Sequence, residues 1–146
     1  MAVNDSREVV IEATPEEILD VIADVDSAPK WSPQYQSAEI VETYKDGRPK
    51  RVKMKIKTAG ISDDLEVEYR WGANTAGWTL IKAGQLKAQD ATYTLTPSGD
   101  TTTVRFDLTV DPSIPIPGFI MKRAIKGAME TATDGLRKQV LKVKKK

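Results

Sequence analysis

Two kinds of hydrophobic spacing divide this chain. Over residues 35–110 apolar and polar side chains alternate, which is the period of a strand with one buried face. Turn-forming clusters rich in glycine, proline and asparagine interrupt this alternation five times and bound six strands. A further strand, with Val9 and Ile11 on one face, is predicted over residues 3–12. The pattern therefore predicts seven antiparallel strands joined without helical crossovers.

A short helix is predicted directly after the first strand. Thr14 can cap it, Pro15 suits the first turn, and Glu17 completes a capping box. Its apolar stripe is soon broken by Ala28-Pro29 and Ser32-Pro33, so a broken second helical turn should follow.

One long amphipathic helix is predicted at the C-terminal end, beginning near Gly118. Its apolar residues recur at steps of three and four. The middle of this helix carries small residues, namely Ala124, Gly127, Ala128, Ala132 and Gly135. Small side chains allow either close packing against the sheet or space for a ligand, and the sequence leaves both interpretations open.

Charged residues form complementary rows on two neighbouring strands. Over residues 51–57 basic residues alternate with apolar ones, and over residues 65–71 Glu66 and Glu68 occupy the corresponding polar positions. Both glutamates are expected to face water and to pair with the basic row of the neighbouring strand. Residues 111–118 contain three prolines and are expected to form an extended linker over a cavity rim rather than more strand.

The amino-acid composition limits the kinds of catalytic and metal-binding site that the chain can form. A length of 146 residues suits one domain, spanning 1–146. The chain has no cysteine and no histidine, which excludes disulfides, thiol nucleophiles, the serine-triad base and the usual zinc ligands. It also lacks a phosphate-cradling glycine loop. We therefore expect no metal and no cofactor, and any acid or base would have to be a carboxylate, tyrosine or lysine.

The net charge of +1 conceals a basic C-terminal end. Residues 136–146 carry six cations and no acid, so the rest of the chain has a net charge of −5. That distribution argues against a nucleic-acid-binding face. The basic end is interpreted as a solvated helix terminus or, alternatively, as a weak contact with anionic membrane. With no signal peptide or bilayer-spanning run, the protein is expected to be cytoplasmic, and a monomer is favoured.

Several segments together resemble the START-like superfamily, also called SRPBCC, of polyketide cyclase/dehydrase and lipid-transport proteins. They are the helix start at residues 13–18, the segment 24–33, the strand from Leu86 to Tyr93 with the turn that follows it, and the residues 115–119 before the last helix. The resemblance, which looks most like bacterial members, covers nearly the whole chain. It implies an α+β helix-grip fold like that of the birch-pollen allergen: a curved seven-stranded antiparallel sheet wrapped around a long C-terminal helix, with two short helices after the first strand.

The incomplete cover of a curved sheet by one helix predicts an internal cavity. Its expected lining, and hence the candidate binding site, consists of Trp31, Tyr35, Met54, Ile56, Val67, Tyr69, Trp71, Trp78, Leu80, Tyr93, Phe106, Phe119, Ile125, Ala128 and Met129. The leading hypothesis is binding or transport of a hydrophobic small molecule such as a lipid, fatty acyl chain, isoprenoid or polyketide. The alternative is a cyclase or dehydratase acting on a bound ketide. No catalytic residue stands out, so the sequence leaves open whether the protein is an enzyme.

Overall fold

A seven-stranded antiparallel sheet is the framework of the molecule. The computed structural model describes residues 3–58, 61–84, 86–113 and 115–144, with the side chains of all of these except residues 58 and 61. The strands follow the spatial order β1-β7-β6-β5-β4-β3-β2. Their bounds are β1 Val3–Ile11, β2 Tyr35–Thr43, β3 Pro49–Thr58, β4 Ile61–Trp71, β5 Thr75–Ala83, β6 Leu86–Ser98 and β7 Thr101–Pro112.

Chain order explains this topology. Each strand from β2 to β6 pairs with the next one along the chain, so short hairpin connections suffice, and β1 closes against β7 with Val9 opposite Val104. The predicted number of strands, their antiparallel pairing and the α+β helix-grip architecture are confirmed.

Three short helical segments connect β1 to β2. They are α1 Pro15–Ala23, a 3₁₀ turn Val25–Ser27, and α2 Ala28–Trp31. The predicted capping box at the start of α1 is present, since the Glu17 amide donates to Thr14 Oγ1 over 3.2 Å and the Thr14 amide donates to Glu17 Oε1 over 2.9 Å. Helix α1 therefore begins where its sequence signals place it.

The outer face of the sheet carries the predicted charge ladder. In the register of β3 and β4, Lys53 lies opposite Glu66 and Arg51 lies opposite Glu68. Arg51 reaches diagonally to Glu66, with Nε 3.1 Å from Oε2. The expectation that Glu66 faces water was wrong, because this contact and its neighbours leave its side chain only 4% exposed. The hydrogen bond from Arg51 holds the pKa of Glu66 below its ordinary value.

The proline-rich segment begins later than predicted. Strand β7 continues through Asp111 and Pro112, which lie opposite Ala88 and Leu86 of β6. Pro112 is the last residue of the strand, where a missing amide hydrogen interrupts no interior ladder. The expectation that this segment could not extend a strand was therefore wrong for its first two residues.

The C-terminal helix runs without a break from Gly118 to Lys144 but changes its winding in the middle. Helix α3 Gly118–Glu130 passes through a π-helical turn Thr131–Gly135 into helix α4 Leu136–Lys144. Within the turn, Thr133 Oγ1 donates to the Met129 carbonyl over 2.7 Å, a bond that favours bending. Among the described residues, no helix combines the length and apolar character required to cross a bilayer.

Candidate functional site

A cavity of about 110 Å³ lies between the inner face of the sheet and the C-terminal helix. Strands β2 to β7, helices α1 and α2, α3 and the π-helical turn all contribute to its wall. Its lining residues are Ile22, Val25, Ala28, Trp31, Ser32, Gln34, Tyr35, Ala38, Met54, Ile56, Tyr69, Trp78, Gln89, Tyr93, Phe106, Leu108, Ala128, Thr131 and Ala132. Ligand pockets commonly measure about 300–1,000 Å³, so this cavity is a small one.

Four aromatic side chains form its sheet wall. Strand alternation directs Tyr69, Trp78, Tyr93 and Phe106 from four consecutive strands to the same face. Their ring centroids lie close together, 5.3 Å apart for Tyr69 and Trp78 and 4.6 Å apart for Tyr93 and Phe106. These contacts fix the rings in a continuous apolar surface.

The small residues of the C-terminal helix serve both purposes that the sequence left open. Ala128 and Ala132 line the cavity. Gly135 instead permits close packing, since a Cβ atom there would lie 3.4 Å from the Trp31 carbonyl oxygen. The helix thus approaches α2 closely at one level and leaves space at another.

Two ring donors of the sheet wall are hydrogen-bonded to protein acceptors. Trp78 Nε1 donates to Gln89 Oε1 over 3.0 Å, and the Tyr93 hydroxyl donates to the Ala132 carbonyl over 3.0 Å. The second bond ties the centre of the sheet to the π-helical turn. Sequence periodicity does not predict this contact.

Three other hydrogen-bond donors of the wall belong to Trp31, Tyr35 and Tyr69. Trp31 Nε1 is buried without a hydrogen-bond partner in the described part of the chain. Burial raises the pKa of Tyr35 to about 12, and it raises the pKa of Tyr69 well above the ordinary value, with a smaller contribution from Tyr35. Burial likewise raises the pKa of Tyr93. The phenols are therefore neutral at physiological pH, and none of the described lining residues carries a charge.

A family model described as polyketide cyclase / dehydrase and lipid transport matches residues 3–141. The chain belongs to this family. Its members, part of the START/SRPBCC superfamily, typically bind hydrophobic ligands. A search of curated proteins gives no match.

Several solved structures have the same fold as this chain. A START superfamily protein from Mycobacterium smegmatis is 24% identical with a TM-score of 0.85, covering 96% of this chain and 98% of that one. The protein TTHA0849 from Thermus thermophilus is 22% identical with a TM-score of 0.81, covering 97% and 99%. The Zhui aromatase/cyclase from Streptomyces sp. R1128 is 11% identical with a TM-score of 0.81, covering 96% and 94%. At these identities the likeness establishes architecture alone.

Within this START-like chain, most of the residues expected at the cavity are brought together. The predicted residues that line it are Trp31, Tyr35, Met54, Ile56, Tyr69, Trp78, Tyr93, Phe106 and Ala128. Most come from strands whose alternation fixes the inward face.

Four predicted residues lie deeper in the hydrophobic core or beside it. Val67 pairs with Leu80 across β4 and β5, while Ile125 and Met129 pack from α3 into the core. None of these four is among the residues that line the described cavity. Alternation selects a face of the sheet, whereas the position along each strand decides between core and cavity.

Trp71 and Phe119 also lie outside the cavity lining. Trp71 Nε1 donates to the Pro49 carbonyl over 2.8 Å, and the Arg48 guanidinium lies 5.2 Å from the centroid of its ring. Phe119 is in the first turn of α3 and is 68% exposed. Trp71 therefore secures the end of β4, and Phe119 faces outward.

The sequence-based prediction missed part of the lining on the helices and on the strands. The additional residues are Ile22, Val25, Ala28, Ser32, Gln34, Ala38, Gln89, Leu108, Thr131 and Ala132. The apolar stripe that runs along α1 into the 3₁₀ turn was a usable signal for Ile22 and Val25, since one face of this segment had to be buried. Gln34 and Gln89 offered no such signal.

At the basic C-terminal end, Lys144 is held by neighbouring groups. Its Nζ donates to the Glu12 carbonyl over 2.8 Å and lies 3.6 Å from Glu17 Oε1. Arg137 also pairs with Glu12. Lys145 and Lys146, on which the membrane interpretation partly depends, lie outside the described residues.

Proposed function

We propose that this protein binds an uncharged, predominantly hydrophobic small molecule in the cavity between the sheet and the C-terminal helix. The single observation that supports this most directly is the composition of the wall, which is apolar and aromatic with a few neutral polar groups. Such a wall favours apolar ligands and penalises burial of a charge, because the described lining offers no counter-charge.

Ligand size follows from the cavity volume. At about 110 Å³ the cavity suits a small ring system or a short chain segment. A longer fatty acyl chain, isoprenoid or polyketide requires α3 to move away from the sheet. We place the binding residues at the sheet wall and at Ala128 opposite it.

The proposal favours binding over the cyclase or dehydratase alternative. Proton abstraction from a ketide requires a base at hydrogen-bond distance. The described lining contains no carboxylate, and burial raises the pKa of its phenols, which makes them weaker acids and poor sources of a phenolate base. Binding alone accounts for the features of this wall.

Filling the cavity tests the proposal. The Ala128→Trp variant should lose binding of the small uncharged probe isopropylbenzene, because an indole would occupy the ligand space. Lys126→Trp adds the same side chain at an exposed position of the same helix and should bind like the wild type. Calorimetric titration measures both. If a folded Ala128→Trp protein binds with unchanged affinity, the ligand does not occupy this cavity.

The natural ligand can be sought directly. Native mass spectrometry of protein purified without detergent should show a one-to-one adduct, which denaturation releases for identification. A charged, fully water-soluble adduct would contradict the proposed class of ligand.

A further inference from the structure

One fully buried side-chain polar atom of the described residues has no hydrogen-bond partner, and it belongs to a residue of the cavity wall. Trp31 Nε1 is buried, and Trp31 lines the cavity. An indole N–H can only donate, so it needs an acceptor. Because buried polar groups in native proteins are nearly always paired, an unpaired one requires an explanation.

Comparison with Trp78 shows that this is not a general property of the wall. Trp78 lines the same cavity, but its Nε1 donates to Gln89. Gln34 also lines the cavity, and its Oε1 accepts from the Ser32 hydroxyl over 3.1 Å. Neither amide oxygen of the lining, on Gln34 or on Gln89, accepts from Trp31.

Two phenols add to the unused donors. Neither the Tyr35 nor the Tyr69 hydroxyl has an acceptor among the described residues, whereas the Tyr93 hydroxyl has the Ala132 carbonyl. The raised pKa values of both phenols keep their protons in place. The cavity thus combines an apolar wall with spare neutral donors.

We propose that the ligand carries an uncharged acceptor oxygen, such as a ketone or ester carbonyl, and that Trp31 donates the hydrogen bond that selects it. This inference rests on the proposed binding function and adds the polar group of the ligand. A carboxylate fits less well, since the described lining supplies no cation to offset its desolvation.

A matched pair of ligands isolates this hydrogen bond. The probes are acetophenone, which has a carbonyl, and isopropylbenzene, which has nearly the same shape without an acceptor. Calorimetry or fluorescence quenching gives the affinity of each for the wild type and for Trp31→Phe. The variant should lose about tenfold more affinity for the ketone than for the hydrocarbon, the size expected for one buried hydrogen bond.

Trp78→Phe is the control. It also shortens an aromatic side chain of the wall, but the N–H that it removes is already paired with Gln89. It should weaken the binding of both probes by similar factors. If Trp31→Phe does the same, the inference is wrong and the binding function stands. If wild-type protein binds neither probe, both proposals are wrong.

A second replacement of Trp31 separates the loss of the hydrogen bond from the loss of packing. Benzothienylalanine in place of Trp31 keeps the bicyclic shape and removes only the N–H. It should reproduce the selective loss for the ketone, and an unchanged ketone affinity would overturn the assignment. Circular dichroism melting curves establish that each variant is folded before affinities are compared.

Discussion

The two halves of the C-terminal helix contribute differently to the molecule. In α4, Leu136 and Val140 are fully buried in the core, and Arg137 pairs with Glu12 next to β1. In α3, Ile125 and Met129 are buried, but the first turn exposes Phe119. Helix α4 therefore fixes the C-terminal helix to the rest of the fold, while α3 covers the cavity.

This difference indicates which half would have to move if the proposed ligand enters the cavity. Ion pairs tie α4 to the residues around Glu12 and Glu17. No ion pair of the described residues involves Lys122, Arg123 or Lys126 of α3. Moving α3 outward breaks fewer contacts than moving α4 does. We expect the amides of α3 to exchange with deuterium earlier than those of α4.

The largest expected effect is a core truncation in α4. Leu136→Ala removes a fully buried side chain and should lower the free energy of unfolding by about 2–5 kcal/mol. Phe119→Ala removes a larger apolar side chain from α3, but it should change stability by less than about 0.5 kcal/mol because that side chain is exposed. Urea unfolding measures both. Equal losses would mean that the two halves are equally anchored.

Alkaline pH should lower the free energy of unfolding through Tyr35, which lies in the cavity wall that α3 covers. An unfolded tyrosine ionises near pH 10, but burial raises the pKa of Tyr35 to about 12. Between these values the unfolded state has lost the proton and the folded state has kept it, so stability falls as pH rises. Urea unfolding from about pH 9 to about pH 11 should show this fall. Tyr35→Phe should reduce the slope, and an identical slope would contradict the burial of this phenol.

A smaller loss of stability is expected from a substitution at the junction of α3 and α4. Tyr93→Phe removes the hydrogen bond to the Ala132 carbonyl and should lower the free energy of unfolding by about 1 kcal/mol. It should also increase deuterium exchange at Thr131–Gly135 more than in α4. Unchanged exchange in that turn would show that the hydroxyl does not hold it.

The smallest effect should come from the surface pairing of α4. Arg137→Gln removes the contact with Glu12, where the two side chains are 39% and 52% exposed. Such pairs contribute less than about 1 kcal/mol, and salt screens them. Thermal melting at low and high salt should show a loss that shrinks with salt. A larger, salt-independent loss would indicate that Arg137 acts through packing.

Local sequence rules predicted the framework well. The strand alternation determined which face holds Tyr69, Trp78, Tyr93 and Phe106, and capping signals located the start of α1. These features depend on neighbours in sequence or on the fixed period of a strand. They could therefore be predicted before any tertiary contact was known.

Features that depend on tertiary packing were not predictable in the same way. Leu80 shares its inward face with Trp78, yet only Trp78 reaches the cavity. Arg51 covers Glu66 by a diagonal contact that alternation does not specify. The π-helical turn is held by the Tyr93 hydroxyl, which donates to the Ala132 carbonyl 39 residues further along the chain. Each depends on distances that only the folded sheet determines.

The π-helical turn has a consequence for insertions and deletions in related chains. A π-helical turn contains one more residue than an α-helical turn, and each residue advances an α-helix by about 100°. Removing one residue within Thr131–Gly135 would therefore restore a regular α-helix, with α3 and α4 still presenting the same faces to the sheet. Removing one residue from α4 would instead rotate one part of the helix by about 100° relative to the other. The π-helical turn is thus the place where this helix tolerates a single-residue deletion while Ala128 stays in the cavity wall.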